Sequence, residues 1–155
     1  MLLIVTKITF GTELFVFPFA TGENSYPTIQ QAVQAANDGD KIIITPGSYY
    51  GDLNLNKQIS IVSSSDEKYK FYGNVEFTSS TVLKEINISN GEFFNSIEKN
   101  FDPNAGYYKL NFINCEFHSI IDIRDRRIIS NYYYCKFSDY VYVSLSEDFI
   151  GCEFG

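Results

Sequence analysis

At 155 residues the chain has the length of one domain, 1–155, and can bury a sizeable core. Its formal charge of −7 and pI of about 4.6 argue against a nucleic-acid backbone or an anionic membrane surface as main partner. Twelve Tyr and fourteen Phe with no Trp make it 17 % aromatic, a composition that favours strands over helices.

In chain order, residues 1–21 predict opening strands, with 14–19 the strongest segment. They make a poor secretory leader, because Lys7 and Glu13 interrupt the apolar run and no basic flank precedes Leu2. A cleaved leader stays open as the alternative. The run also falls short of the about twenty continuous apolar residues that span a bilayer, so no membrane span is expected. Residues 26–38 predict the one helix. Pro27 suits its first turn, Ile29, Ala32, Val33 and Ala36 share one face, and Gly39 is placed to stop it. A strand over 41–45 and a Pro46-Gly47 turn follow.

From there to the end a short phrase returns six times. It reads aromatic or Ile, two residues, a small or apolar residue, usually Glu, then Phe or Leu, over 50–55, 72–77, 88–93, 112–117, 132–137 and 149–154. The steps of 22, 16, 24, 20 and 17 residues predict a solenoid whose loops vary while its core does not. Aligned, the copies give four files. Tyr50, Tyr72, Ile88, Phe112, Tyr132 and Phe149 form the first. Asp52, Asn74, Asn90, Asn114, Tyr134 and Gly151 form the second, a bend position that suits Asn because it tolerates left-handed backbone. Leu53, Val75, Gly91, Cys115, Cys135 and Cys152 alternate with Leu55, Phe77, Phe93, Phe117, Phe137 and Phe154 on one inward face. Stacked Asn amides are expected to bond one another along the axis. The expectation is an all-β, short, single-stranded parallel β-helix of about six coils over 41–155, with a helical cap. A β-sandwich would also give inward Phe and outward Glu, but not a bend residue at a fixed offset before each strand.

The stretch from Tyr26 to Tyr49, YPTIQQAVQAANDGDKIIITPGSY, resembles the opening of pectin-lyase-like right-handed β-helix proteins, among them pectin methylesterases. The resemblance implies a right-handed β-helix and a helix that shields the first coil. Enzymes of that superfamily act on acidic polysaccharides through carboxylates, Arg and sometimes calcium, yet a fold does not set chemistry. Asp148-Phe149-Ile150-Gly151 is similar to the methylesterase motif around its catalytic Asp and departs from it at Cys152. No counterpart of that family's other catalytic residues is found.

Three places bear reactive side chains. Asp148 is one catalytic candidate. Asp122 and Asp125 are the others, inside the run Asp122-Ile123-Arg124-Asp125-Arg126-Arg127; there Arg124, Arg126, Arg127 and nearby His118 are candidate ligands for a uronate or phosphate. A solvated loop of self-neutralising charges is the simpler reading. The outward positions Glu76, Glu92, Glu116 and Glu153 form an acidic file whose repulsion a cation such as calcium would relieve, making the first three metal candidates. The simpler reading is a solvated acidic face. No cofactor motif occurs.

The three cysteines lack a CxxC pair and read as small, reduced core residues, which leans toward an intracellular or particle-assembled setting. The sequon at Asn87-Ile88-Ser89 matters only in a secreted chain. The last copy finishes at Phe154 with only Gly155 after it, leaving an apolar disc that the N-terminal strands, a second copy or another protein must cover. The function expected is therefore a non-catalytic structural or interaction module. It self-assembles or docks through its C-terminal coil, as in a particle, spike or surface structure, with an outer sheet face open to protein or glycan. A lyase or esterase on an acidic polysaccharide is the alternative. Phe137→Ala and Phe154→Ala are both expected to cost roughly 3–5 kcal/mol.

Overall fold

The computed structural model describes residues 11–78, 84–100, 106–143 and 148–155. The chain begins with β1 (Glu13–Val16), β2 (Ser25–Tyr26) and α1 (Ile29–Ala35). It continues through β3 (Lys41–Ile44), β4 (Ser48–Tyr50), β5 (Leu53–Leu55), β6 (Ser60–Ser63), β7 (Tyr69–Tyr72) and β8 (Val75–Thr78). Next come β9 (Lys84–Ser89), β10 (Gly91–Phe93), β11 (Ile97–Asn100), β12 (Tyr108–Ile113), β13 (Glu116–Phe117) and β14 (Ile121–Asp122). The last are β15 (Ile128–Tyr133), β16 (Lys136–Phe137), β17 (Val141–Tyr142), β18 (Asp148–Ile150) and β19 (Glu153–Phe154).

These strands form three parallel sheets, visited in turn. Sheet A runs β18-β15-β12-β9-β6-β3-β1-β2, sheet B β19-β16-β13-β10-β7-β4, and sheet C β17-β14-β11-β8-β5. The result is an all-β solenoid with one short helix. Pairing is parallel throughout the described residues, which excludes the sandwich, a fold built on antiparallel sheets.

Because the stacking is in register, like residues form internal columns. On sheet A these are Leu14, Ile42, Ile61, Ile88, Phe112, Tyr132 and Phe149. On sheet B they are Tyr49, Phe71, Phe93, Phe117, Phe137 and Phe154. On sheet C they are Leu53, Val75, Ile97, Ile121 and Val141. Rings stack along the columns: Phe112–Tyr132–Phe149 at 5.2 and 4.8 Å, and Phe93–Phe117–Phe137–Phe154 at 5.5, 5.2 and 5.0 Å. Most of these side chains are buried, each contributing about 1.5–3 kcal/mol of transfer free energy. Val141 and Phe149 are partly buried, and Phe154 is 62 % exposed. The expected equal cost for Phe137→Ala and Phe154→Ala therefore holds only for Phe137.

The last four turns from sheet A into sheet B each carry a left-handed residue: Asn90 (φ 55), Asn114 (φ 52), Tyr134 (φ 56) and Gly151 (φ 65). This is the bend the repeat predicts, and Asn114 Nδ2 donates to Asn90 Oδ1 at 2.9 Å as expected. Asn74 is different; it lies at the next corner, between sheets B and C. The last four copies of the phrase indeed stack on one another, while the first two, 50–55 and 72–77, stack together one corner further on. Val75 pairs with Ile97, not Gly91, and Gly91 pairs with Tyr69. Leu55 and Phe77 thus belong to sheet C, and Tyr49 and Phe71 take their places in the Phe column. Tyr69 also explains Gly91: a Cβ there would meet its hydroxyl at 2.8 Å and the Phe93 ring at 2.7 Å.

At the N-terminal end α1 is shorter than the predicted 26–38. Thr28 is its N-cap, accepting from Gln31 N at 3.2 Å, so Pro27 lies outside and Tyr26 joins β2. Lys57 Nζ donates to Val33 O, Gln34 O and Ala36 O at 2.8, 2.7 and 2.6 Å, closing the other end where the helix leaves unpaired carbonyls. Ile29, Ala32 and Val33 are buried as the helix lies against β1, β2, β3 and β5, so it covers the first coil. Within the predicted opening strands, β1 covers 13–16, and residues 1–10 lie outside the described residues. Among the described residues no helix is long and apolar enough to cross a membrane.

Candidate functional site

The outer face of sheet B brings together more reactive side chains than either other face. Strands β4, β7, β10, β13, β16 and β19 turn Ser48, Lys70, Glu92, Glu116, Lys136 and Glu153 outward in one file. The predicted acidic file is therefore broken by lysines. Glu76 is not in it, because it lies on sheet C between Asn54 and Glu98. Of the three metal candidates, Glu92 and Glu116 are neighbours and Glu76 stands apart.

Two residues further along each strand runs a second outward file, Tyr50, Tyr72, Phe94 and His118. Its rings stack at 5.2, 4.4 and 4.6 Å with interplanar angles of 17°, 12° and 13°. The sequence held the signal, since each of these residues directly follows a member of the inward column Tyr49, Phe71, Phe93, Phe117. Aligning the first two copies at the wrong corner concealed it. Stacking on Phe94 fixes the His118 ring so that Nε2 lies 2.9 Å from Glu92 Oε1. Lys68 Nζ reaches Glu116 Oε1 at 3.1 Å and Lys70 Nζ reaches Glu92 Oε2 at 3.7 Å. One donor atom each from Glu92, Glu116 and His118 lies within 4.8 Å of the others.

The Asp/Arg run sits on and after β14, and His118 is not part of it. Asp122 accepts from Arg124 Nε and Nη2 at 2.9 and 2.7 Å, and the Arg124 guanidinium lies 4.7 Å from the Tyr142 ring centre. Asp125 accepts from Arg127 Nε and Nη2 at 2.9 and 2.7 Å. The neighbouring guanidiniums draw both carboxyls down, Asp122 below its ordinary value and Asp125 to about 2. Arg126 is exposed. Asp148 opens β18 on sheet A, opposite Asn131. The motif around it has structural duties, with Phe149 stacked on Tyr132 and Gly151 at a left-handed corner.

Cys115, Cys135 and Cys152 are free thiols in the inward file, the first two buried; burial pushes the Cys115 thiol well up. Asn87 of the sequon is engaged in an amide ladder, accepting from Asn111 Nδ2 at 2.8 Å, while Asn131 Nδ2 donates to Asn111 Oδ1 at 2.8 Å.

The two ends of the solenoid differ. Helix α1 covers the first coil, whereas β17, β18 and β19 are each the outermost strand of their sheet. Phe154 is largely exposed there, beside a pocket of about 470 Å³ lined by Phe137, Tyr140, Val141 and Phe154 with intervening polar residues. Compared with known proteins, the chain matches no family model, no curated protein and no solved structure.

Proposed function

We propose that the chain is a non-catalytic assembly module, a rigid β-solenoid that pairs with a second copy of itself through its C-terminal coil. The observation that carries this reading is the contrast between the ends. A helix occupies the first coil's end, so head-to-tail stacking is obstructed. At the other end three strand edges surround the exposed Phe154 ring. A two-fold axis across the solenoid joins such ends tail to tail, with the edge strands meeting antiparallel, and closes the contact on itself. We take the solenoid to be right-handed, of about six coils, and similar to pectin-lyase-like proteins. The right-handed preference of parallel crossovers and the capping helix support that assignment. A unit of this kind suits a particle, spike or surface structure. A lyase or esterase on an acidic polysaccharide has less support, because Asp122 and Asp125 each hold an Arg two residues on and Asp148 lies on another sheet.

Light scattering on a sizing column, with the 155-residue chain at several concentrations, tests the proposal. A dimer that Phe154→Asp converts to a monomer of unchanged circular dichroism is the expected result. A monomer at every concentration would overturn it.

A further inference from the structure

We propose that Glu92, Glu116 and His118 bind a divalent transition-metal ion of the zinc class on the outer face of sheet B. Three donors, two carboxylates and an imidazole, come from β10, β13 and the residue just after β13. Glu92 and Glu116 are register partners, and His118, two residues beyond Glu116 on the same face, reaches back to Glu92 at 2.9 Å. A tetrahedral ion with bonds of about 2.0–2.2 Å holds its donors about 3.3 Å apart. The three donor atoms already lie within 4.8 Å of one another, so small side-chain rotations complete the set.

The strands hold this arrangement in place. His118 N donates to Phe93 O at 2.8 Å, and its ring stacks on Phe94, so the imidazole is oriented before any ion arrives. The two carboxylates also sit close together and partly shielded. Side-chain exposure is 15 % for Glu92 and 27 % for Glu116, and two carboxylates one strand spacing apart repel when shielded from water. Lys68 and Lys70 supply cations from the margin, and the Lys70 side chain is half exposed and free to swing away. A divalent ion seated between the carboxylates replaces two single charges with one double charge bonded directly. The donor set also selects the ion. One imidazole and two carboxylates suit zinc and its neighbours, whereas calcium takes six to eight oxygens, a shell that these three residues do not supply.

Zinc chloride titrated into the full chain by calorimetry, with cobalt(II) absorption as a second readout, tests the site. One saturable ion per chain is expected. His118→Phe keeps a ring to stack on Phe94 and removes the nitrogen. It is expected to weaken binding at least about tenfold, the scale on which even outer-shell partners act. Glu116→Gln should weaken binding, Lys70→Ala should tighten it by removing a competitor, and Glu76→Gln should leave it unchanged. Circular dichroism of each metal-free variant separates lost binding from lost folding. Absence of saturable binding, or equal affinity in the parent and His118→Phe, would overturn the proposal.

Discussion

Replacing Phe117 by Ala probes the column of rings where it is most enclosed. Phe117 is 2 % exposed, with Phe93 stacked at 5.5 Å on one side and Phe137 at 5.2 Å on the other. Phe112 and Tyr132 present their edges at 5.3 and 6.2 Å. Removing a buried Phe ring costs roughly 3–5 kcal/mol, and the cost grows with the cavity that survives. Here the neighbouring strands are tied by backbone hydrogen bonds, so the hole collapses poorly and the upper half of that range applies. Phe154 is the matched control, in the same column and also preceded by Glu. It is largely in water and has its stacking partner, Phe137, on one side only, at 5.0 Å. Truncating it costs about 1 kcal/mol, the scale of one aromatic contact. Urea unfolding followed by circular dichroism measures both, at two protein concentrations so that association is separated from folding. A gap of about 3 kcal/mol between the variants is expected. Equal losses would refute the stacked column.

Two further changes test the corners and the charged run. Tyr134 holds φ 56 with an exposed ring, a conformation that Asn adopts more readily. Tyr134→Asn should gain about 0.5–1 kcal/mol in urea unfolding by relieving that backbone and extending the amide ladder of Asn90 and Asn114; a loss would refute the corner argument. Arg127 holds Asp125 at about 2, below its ordinary 3.8, so this pair's stabilisation is complete above 3.8 and disappears as pH falls through about 2. Thermal unfolding over that interval should fall more steeply for the parent than for Asp125→Asn, and parallel curves would show that the pair is energetically silent.

The parallel stacking was legible because the last four copies share one corner, where Asn90, Asn114, Tyr134 and Gly151 hold left-handed backbone before an inward small residue and an inward Phe. The first two copies misled because a second corner yields the same phrase, an aromatic, a bend, then alternating apolar residues, although the leading Tyr50 and Tyr72 face outward where Ile88, Phe112 and Tyr132 face inward. Tyr50-Gly51-Asp52-Leu53 satisfies it at the corner between sheets B and C. Nothing local tells one corner from another; only counting whole circuits does. That single displacement put Glu76 beside Glu92 and hid Phe71 and the outer ladder. The partnership of His118 with Glu92 and not with the Arg run was equally invisible, since it depends on a residue 26 positions away. The helix was found because its apolar face repeats locally; its start was set by Thr28, a cap that Pro27 obscured.

Most pairing partners lie about twenty residues away along the chain, whether Lys41 with Ser60 or Asn131 with Asp148. No strand must wait for a distant segment before it finds its neighbour. Loop closure stays nearly constant from circuit to circuit, and its entropy rises only slowly with length. A chain emerging from the ribosome can therefore settle against the helix and then wind upward, each new circuit templated by the finished one beneath it. Inserting or deleting a whole circuit would preserve every pairing rule on either side, so such a protein can change its length in evolution without inventing a new fold.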